Sequence, residues 1–189
     1  AQDSPGNESS QELVVAFSPR NLVLDPLHVY TTLESELCTA LYEGLLSYHP
    51  LSLEPVPGVA ARWEVDRSKT LYRFYLREQA CFSNGDPVQA QDFRETWLRL
   101  LEPKAGAEYS FLFDVIKGAR DYRQGRTTEE PAIRAVSPYL LEVELEKPAS
   151  HFLKLLCHMS FSPIHPEYRK RKGWDKDPVL IGNGPYYLH

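Results

Sequence analysis

Three histidines, His151, His158 and His165, recur seven residues apart, and Cys157 stands beside His158. Imidazole and thiolate are zinc ligands, but a metal centre needs several of them to converge on one point. Neighbours such as Cys157 and His158 diverge along the backbone, so the set reads as partly buried, hydrogen-bonded histidines and no metal site is expected. Arg169-Lys170-Arg171-Lys172 is a basic run of the kind that contacts phosphate. In a chain of net charge −5 it reads instead as a solvated helix end. Asp92 and Glu95 flank Arg94 and form a helix-surface charge pattern. Gly182-Asn183-Gly184 lacks a third glycine and runs into Pro185, so it cannot open a phosphate-binding helix. Gly-x-Ser-x-Gly, His-Glu-x-x-His, the P-loop and the dinucleotide fingerprint are all absent, and nothing supports a carboxylate pair. These residues offer no catalytic or cofactor motif, and an enzyme is the least expected class.

Composition narrows the class further. The 189 residues allow one sizeable domain or two small ones, with 42% hydrophobic and 25% charged residues. The acidic balance, with pI about 5.7, argues against nucleic acid as a partner. Eleven Tyr, eight Phe and three Trp supply flat contact area with polar handles, suited to a core or to a binding cleft. No run approaches the roughly 18 apolar residues of a membrane span. Residues 1–9 are a polar tail, predicted disordered, of the kind that follows a cleaved signal or a lipid anchor. Cys38, Cys81 and Cys157 fit no disulfide framework; they read as mostly buried thiols, with one pairing open in an oxidising compartment.

The elements that must position these residues follow from periodicity. The apolar run 13–17 predicts a buried strand, and Leu24-Asp25-Pro26 a turn. Thr31 and Glu34 form a capping box; the helix behind it carries Leu33, Leu37, Ala40, Leu41 and Leu45 on one face and ends near Gly44. Pro50, Pro55 and Pro57 argue against a regular element over 47–57. Residues 60–65 and 71–76 read as strands joined by Asp66-Arg67-Ser68-Lys69. A sharp corner at Asn84-Gly85-Asp86-Pro87 then leads into a helix carrying Phe93, Trp97, Leu100 and Leu101. A short helix is expected around 111–122. Residues 131–137 lead into a strand in which Leu141, Val143 and Leu145 alternate with Glu142 and Glu144. An apolar helix or strand covers 152–157, and a glycine turn at 182–184 enters a final strand. The mixture predicts an α+β fold or a mixed sheet.

Taken in order, several segments resemble the oligopeptide- and dipeptide-binding proteins of ABC importers, solute-binding protein family 5. They are Leu24-Asp25-Pro26, Leu41-Tyr42-Glu43-Gly44-Leu45-Leu46, Pro57-Gly58-Val59-Ala60-Ala61-Arg62-Trp63 and Phe74-Tyr75-Leu76-Arg77. The corner Phe82-Ser83-Asn84-Gly85-Asp86-Pro87 with Ala90-Gln91-Asp92-Phe93, the stretch 140–148, and Gly182-Asn183-Gly184-Pro185-Tyr186 complete the series. The resemblance implies a periplasmic or lipid-anchored receptor that encloses an oligopeptide between two lobes and presents the closed form to the membrane permease subunits. The peptide main chain would pair as an added strand, with its side chains in roomy wet pockets. Related receptors imply one alternative, another small solute such as nickel or a sugar; a second, from another class, is a truncated interaction module that transports nothing.

On this resemblance, residues 10–43 and 163–189 are segments of an incomplete large lobe, and residues 44–162 are a small inserted lobe. Family members are more than twice this length, so the isolated chain is expected to bind peptide weakly or not at all. Tyr30, Thr31 and Thr32 match the ligand-facing stretch after Asp-Pro. Tyr109 matches a tyrosine that leans on the peptide, and His158, Ser160 and Asn183 lie where the chain returns toward the cleft. Two departures stand out. Tyr30 occupies the position of an acidic residue, and Gln89 replaces a threonine, which weakens the cap of the following helix. Asp25, Glu43, Gly85, Asp92 and Gly184 read as fold-building.

Overall fold

The structure is a computed structural model that describes Val14 and residues 22–188. The tail at 1–9 and, Val14 excepted, the strand expected at 13–17 lie outside the described residues. Asp25 caps a single 3-10 turn, Pro26–His28, by accepting the Leu27 N–H at 3.0 Å. Helix α1, Thr32–Leu41, opens on the expected box: Thr31 Oγ1 accepts from Glu34 N–H, and Glu34 accepts from Thr31 N–H at 3.0 Å. Glu34 also takes the N–H of Val23 and Tyr30, so one buried carboxylate holds the whole entry to the helix. Burial works against its charge, but these donors prevail and keep its pKa below the ordinary value. The helix ends at Leu41, earlier than expected, and Leu45 lies beyond it at a bend.

The prolines at 55 and 57 do not prevent a strand. Strand β1, Leu46–Tyr48, pairs antiparallel with β2, Pro55–Pro57, with Ser47 opposite Val56. Hydrogen bonds from Gly58 to Leu45 and from His49 to Glu54 set the alternation. Both prolines therefore fall at positions where no N–H is required by the ladder.

The main sheet has four strands. They are β3, Ala60–Val65; β4, Leu71–Leu76; β5, Ile133–Ser137; and β6, Leu140–Glu144, with β5 a strand that the periodicity had left as a lead-in. All pairs are antiparallel, so the sheet is not the mixed one the sequence allowed, and the order is β3-β4-β6-β5. One face is apolar: Phe74 lies opposite Leu141 and Tyr72 opposite Val143, all buried. The other face alternates in charge. Register places Glu64 by Arg73, Arg73 by Glu142, and Arg134 by Glu142, with Arg73 2.9 Å from Glu142.

Helix α2, Ala90–Leu101, covers the apolar face over β5 and β6 and buries Phe93, Trp97, Leu100 and Leu101 completely. The corner before it has Gly85 at φ 91°, as the turn demands. With glutamine at the cap, the start of α2 rests on Asp92, which accepts from Gln89 N–H at 2.7 Å. Asp92 is not a surface charge. It is buried and ion-paired with Arg169, so the basic run is anchored at its first residue rather than wholly solvated. Burial raises the Asp92 pKa, and the Gln89 N–H and Arg169 oppose that rise. The expected helix at 111–122 is split into 3-10 turns at Ser110–Val115 and helix α3, Ala119–Arg123. Ile116 breaks it by bridging Leu145, and Gly118 takes φ 80°. Helix α4, Phe152–Leu155, is a single turn. The three cysteines are free, but Cys81 is exposed; buried Cys38 has its pKa pushed up to about 12 by desolvation. Among the described residues no helix is long and apolar enough to cross a membrane.

The last segment forms no strand among the described residues. It nevertheless bonds to the end of α1, Gly184 N–H to Leu41 O at 2.9 Å and Tyr186 N–H to Ala40 O at 3.1 Å. A Cβ on Gly184 would sit 2.4 Å from the Leu41 carbonyl carbon and 2.5 Å from Tyr42 N. Backbone atoms on both sides cannot yield without parting the segments. Gly184→Ala should therefore lower stability by about 2 kcal/mol and release amide protection at Tyr186 and Glu43. Denaturant unfolding with hydrogen exchange tests this; unchanged protection at both amides contradicts it.

Candidate functional site

A connected series of rings leads from the core to the surface. Trp97 donates its indole N–H to Phe161 O at 2.8 Å, which fixes the ring in α2. Trp97 meets Phe113 edge-on at 4.9 Å, and Phe113 stacks on Phe161 at 4.1 Å. Phe161 lies 5.9 Å from His158, whose ring is 5.0 Å from that of Tyr109. Pairs of this geometry contribute about 0.5–1.5 kcal/mol each beyond area burial. Tyr109 and His158, both half-buried, are thus the outer end of a rigid stack.

His158 Nδ1 accepts the Ser160 N–H at 3.3 Å. In the neutral ring the proton is then on Nε2, which makes no hydrogen bond among the described residues. Burial lowers the His158 pKa, so the ring is neutral near pH 7. A neutral N–H donor beside a phenol is suited to a polar, uncharged acceptor such as a peptide carbonyl.

The chain before Tyr109 is held from the other side. His28 Nε2 lies 2.8 Å from Ala105 O, and His28 Nδ1 lies 3.2 Å from Asp25. Asp25 also meets Arg99 at 3.1 Å, so a buried carboxylate joins the first turn to the end of α2. The hydrogen bond to Asp25 raises the His28 pKa, against the effect of burial.

The remaining expected site residues divide. Ser160 is fully buried and its hydroxyl lies against Met159 Sδ at 3.3 Å, so it supports the His158 turn and faces no solvent. Asn183 has both ends of its amide on the Glu43 backbone, accepting at 3.1 Å and donating at 2.8 Å. Thr31 is the cap of α1. Tyr30, 75% exposed, and exposed Thr32 follow at the surface with no side-chain bond among the described residues. Tyr109, His158 and Ser160 are thus brought together, and Asn183 joins a different locus.

That locus is a groove of about 510 Å³ at the end of α1, lined by Tyr42, Glu43, Met159, Ser162, Asn183 and Pro185, among others. A wider groove of about 750 Å³, near Phe111, Arg120 and His151, holds none of the expected site residues; its size alone gives it no chemistry. Among the described residues no three His, Cys, Asp or Glu groups are placed to hold a metal.

A family model described as bacterial extracellular solute-binding proteins, family 5 Middle, matches residues 54–189. The dipeptide-binding protein DppE of Bacillus subtilis is 36% identical over 138 residues, 71% of this chain and 25% of that protein. The periplasmic oligopeptide-binding protein OppA of Escherichia coli is 34% identical over 170 residues, 87% of this chain and 31% of that protein. The solved structure of the Escherichia coli murein tripeptide binding protein MppA matches with TM-score 0.82 and 32% identity, over 87% of this chain and 33% of that one. The chain therefore spans about a quarter to a third of the relatives it matches.

A histidine kept neutral by burial binds fewer protons folded than unfolded near its ordinary pKa of 6.5. Its contribution to stability is lost as pH falls through that value. His158→Gln removes this loss. Its stability relative to wild type should rise from about pH 7.5 to about pH 5.5, read from urea unfolding midpoints; a difference independent of pH contradicts the assignment.

Proposed function

We propose that this chain, which belongs to family 5 of the bacterial extracellular solute-binding proteins, supplies part of the peptide-binding cleft of an ABC importer receptor. The observation that carries the reading is the Tyr109–His158 pair, two half-buried rings in contact, with the His158 Nε2–H bonded to nothing among the described residues. Such a surface holds peptide groups without demanding a particular side chain. The named relatives, which bind dipeptides, oligopeptides or a murein tripeptide, support the same class of ligand.

Residues 44–162 form the small lobe in this reading, and 10–43 with 163–189 belong to the large one. The hydrogen bonds of Asn183 to Glu43 and of Gly184 to Leu41 fit that division, since they tie the two outer segments together. Tyr109 and His158 face the ligand. Tyr30 and Thr32 line the approach, while Thr31, Ser160 and Asn183 position their neighbours. Binding is non-covalent and no reaction follows it. The receptor works in the periplasm or on the outer face of the envelope, there held by a lipid anchor, and hands its peptide to the permease subunits.

The test is an NMR titration of the 189-residue chain with a mixed tri- to pentapeptide library. Weak saturable shifts are expected, with a dissociation constant of about 1 mM or weaker, concentrated on Tyr109 and His158 and reduced in Tyr109→Ala. An absence of shifts at these residues, with a library present at tens of times that concentration, overturns the reading.

A further inference from the structure

Both ring nitrogens of His28 face groups that can only accept. Nε2 lies 2.8 Å from the Ala105 carbonyl oxygen, and Nδ1 lies 3.2 Å from the Asp25 carboxylate. A neutral imidazole has one N–H and one lone pair, so either tautomer sets a lone pair against one of these oxygens. Only the imidazolium, with two N–H donors, completes both contacts. Asp25 does not depend on His28, since it takes the Leu27 N–H on one oxygen and Arg99 on the other. Ala105 O has no second donor among the described residues. The tie between the first turn and Ala105 therefore rests on the charge of one ring, whose side chain is 35% exposed and open to protons from solvent.

The position of this tie extends its influence. The turn Pro26–His28 packs against Met159–Phe161, the turn that follows His158. Ala105 lies past the end of α2, four residues before Tyr109. His28 thus stands on a turn that touches the chain on both sides of the Tyr109–His158 pair. Among the groups around the ring, the hydrogen bond to Asp25 favours the charged form most, and the Ala105 carbonyl adds to it. Burial opposes the charge, as does Arg99 from α2. Met159–Phe161 brings no charge, His158 before it is neutral near pH 7, and Lys104 and Glu108 on either side of Ala105 are exposed.

We propose that His28 is a proton-operated latch: as imidazolium it fastens the first turn to the segment that carries Tyr109, and loss of one proton releases that segment. The remaining proton stays on Nδ1, where a carboxylate holds it more strongly than a carbonyl would. Ala105 O then faces a lone pair and the contact opens. The latched form binds the proton, so its contribution to stability is complete below 6.5, the ordinary value for histidine. It is lost as pH rises through the higher value that the folded chain gives this ring. On the proposed division of the chain the latch crosses from the large lobe to the small one, but it rests neither on that division nor on the peptide reading.

The test is two-bond proton–nitrogen NMR of the 189-residue chain carrying 15N-histidine, from about pH 5.5 to about pH 9. At pH 6.5, where an ordinary histidine is half charged, most His28 rings should show two protonated nitrogens, while His158 shows a bare Nδ1. The amides of Ser110 and Leu112, which close the turns around Tyr109, should shift with the His28 midpoint. Below that midpoint these amides should exchange about tenfold more slowly than in His28→Gln, and above it at the same rate. A serving structural contact without the proton switch would give a difference independent of pH. A bare nitrogen on His28 at pH 6.5 overturns the latch, as does a His28 titration that leaves Ser110 and Leu112 unmoved, or a pH-independent exchange difference. The first two readings use the wild-type chain, so they decide the matter even if His28→Gln fails to fold. No peptide is present, and the peptide reading stands under either result.

Discussion

Backbone hydrogen bonds along residues 40–46 connect four separate parts of the chain. The carbonyls of Ala40 and Leu41 accept from Tyr186 and Gly184, that of Glu43 from the Asn183 side chain, and those of Gly44 and Leu45 from residues 58–60. Leu46 N–H then reaches Leu156 O at 3.4 Å. These contacts need backbones at distances that a side chain would forbid. A Cβ on Gly58 would lie 2.8 Å from Gly44 O, and one on Gly182 would lie 2.2 Å from Leu41 O. The motif Leu41-Tyr42-Glu43-Gly44-Leu45-Leu46 is therefore a junction first, and its glycine and those facing it allow the close approach.

The charged interior follows the same logic of joining distant segments. Asp25 links the first turn to α2 through Arg99, Asp92 links α2 to the return segment through Arg169, and Glu34 gathers the chain before α1. Each of these carboxylates is buried and each is bonded to donors. His165 adds a further tie, 2.8 Å from Asp86 in the corner before α2. The Tyr109–His158 platform depends on these links only indirectly. It is set by the aromatic stack on Trp97, which lies between them.

Much of this was legible in the sequence where one local rule acted alone. Strands β3 and β4 and helix α2 fall where alternation and helical spacing placed them, and the Thr31–Glu34 box forms as written. Readings failed where a rule depended on a partner distant in sequence. Pro55 and Pro57 looked like breakers because the register that excuses them is set by Leu45 and His49. Asp92 looked like a surface charge because Arg169 is far along the chain, and the segment after the glycine turn read as a strand, whereas among the described residues Gly184 and Tyr186 bond to the end of α1 and form no ladder. The site divided in the same way. Tyr109 and His158 come together through the stack on Trp97, a meeting that no local pattern in the sequence marks.

The order β3-β4-β6-β5 carries a kinetic consequence. Its outer pairs are hairpins with short connections, of a kind that zip in about 1–10 μs. The central pairing of β4 with β6 must instead close a loop of about sixty residues that contains the corner, α2 and α3. One bond shortens that search. Ala90 N–H donates to Pro138 O at 2.7 Å, which fastens the first residue of α2 to the turn between β5 and β6. Once α2 is docked on that hairpin, the open loop shrinks to little more than the corner itself. Asn84-Gly85-Asp86-Pro87 lies among the thirteen residues between β4 and α2, so the closure left to the β3–β4 hairpin is short.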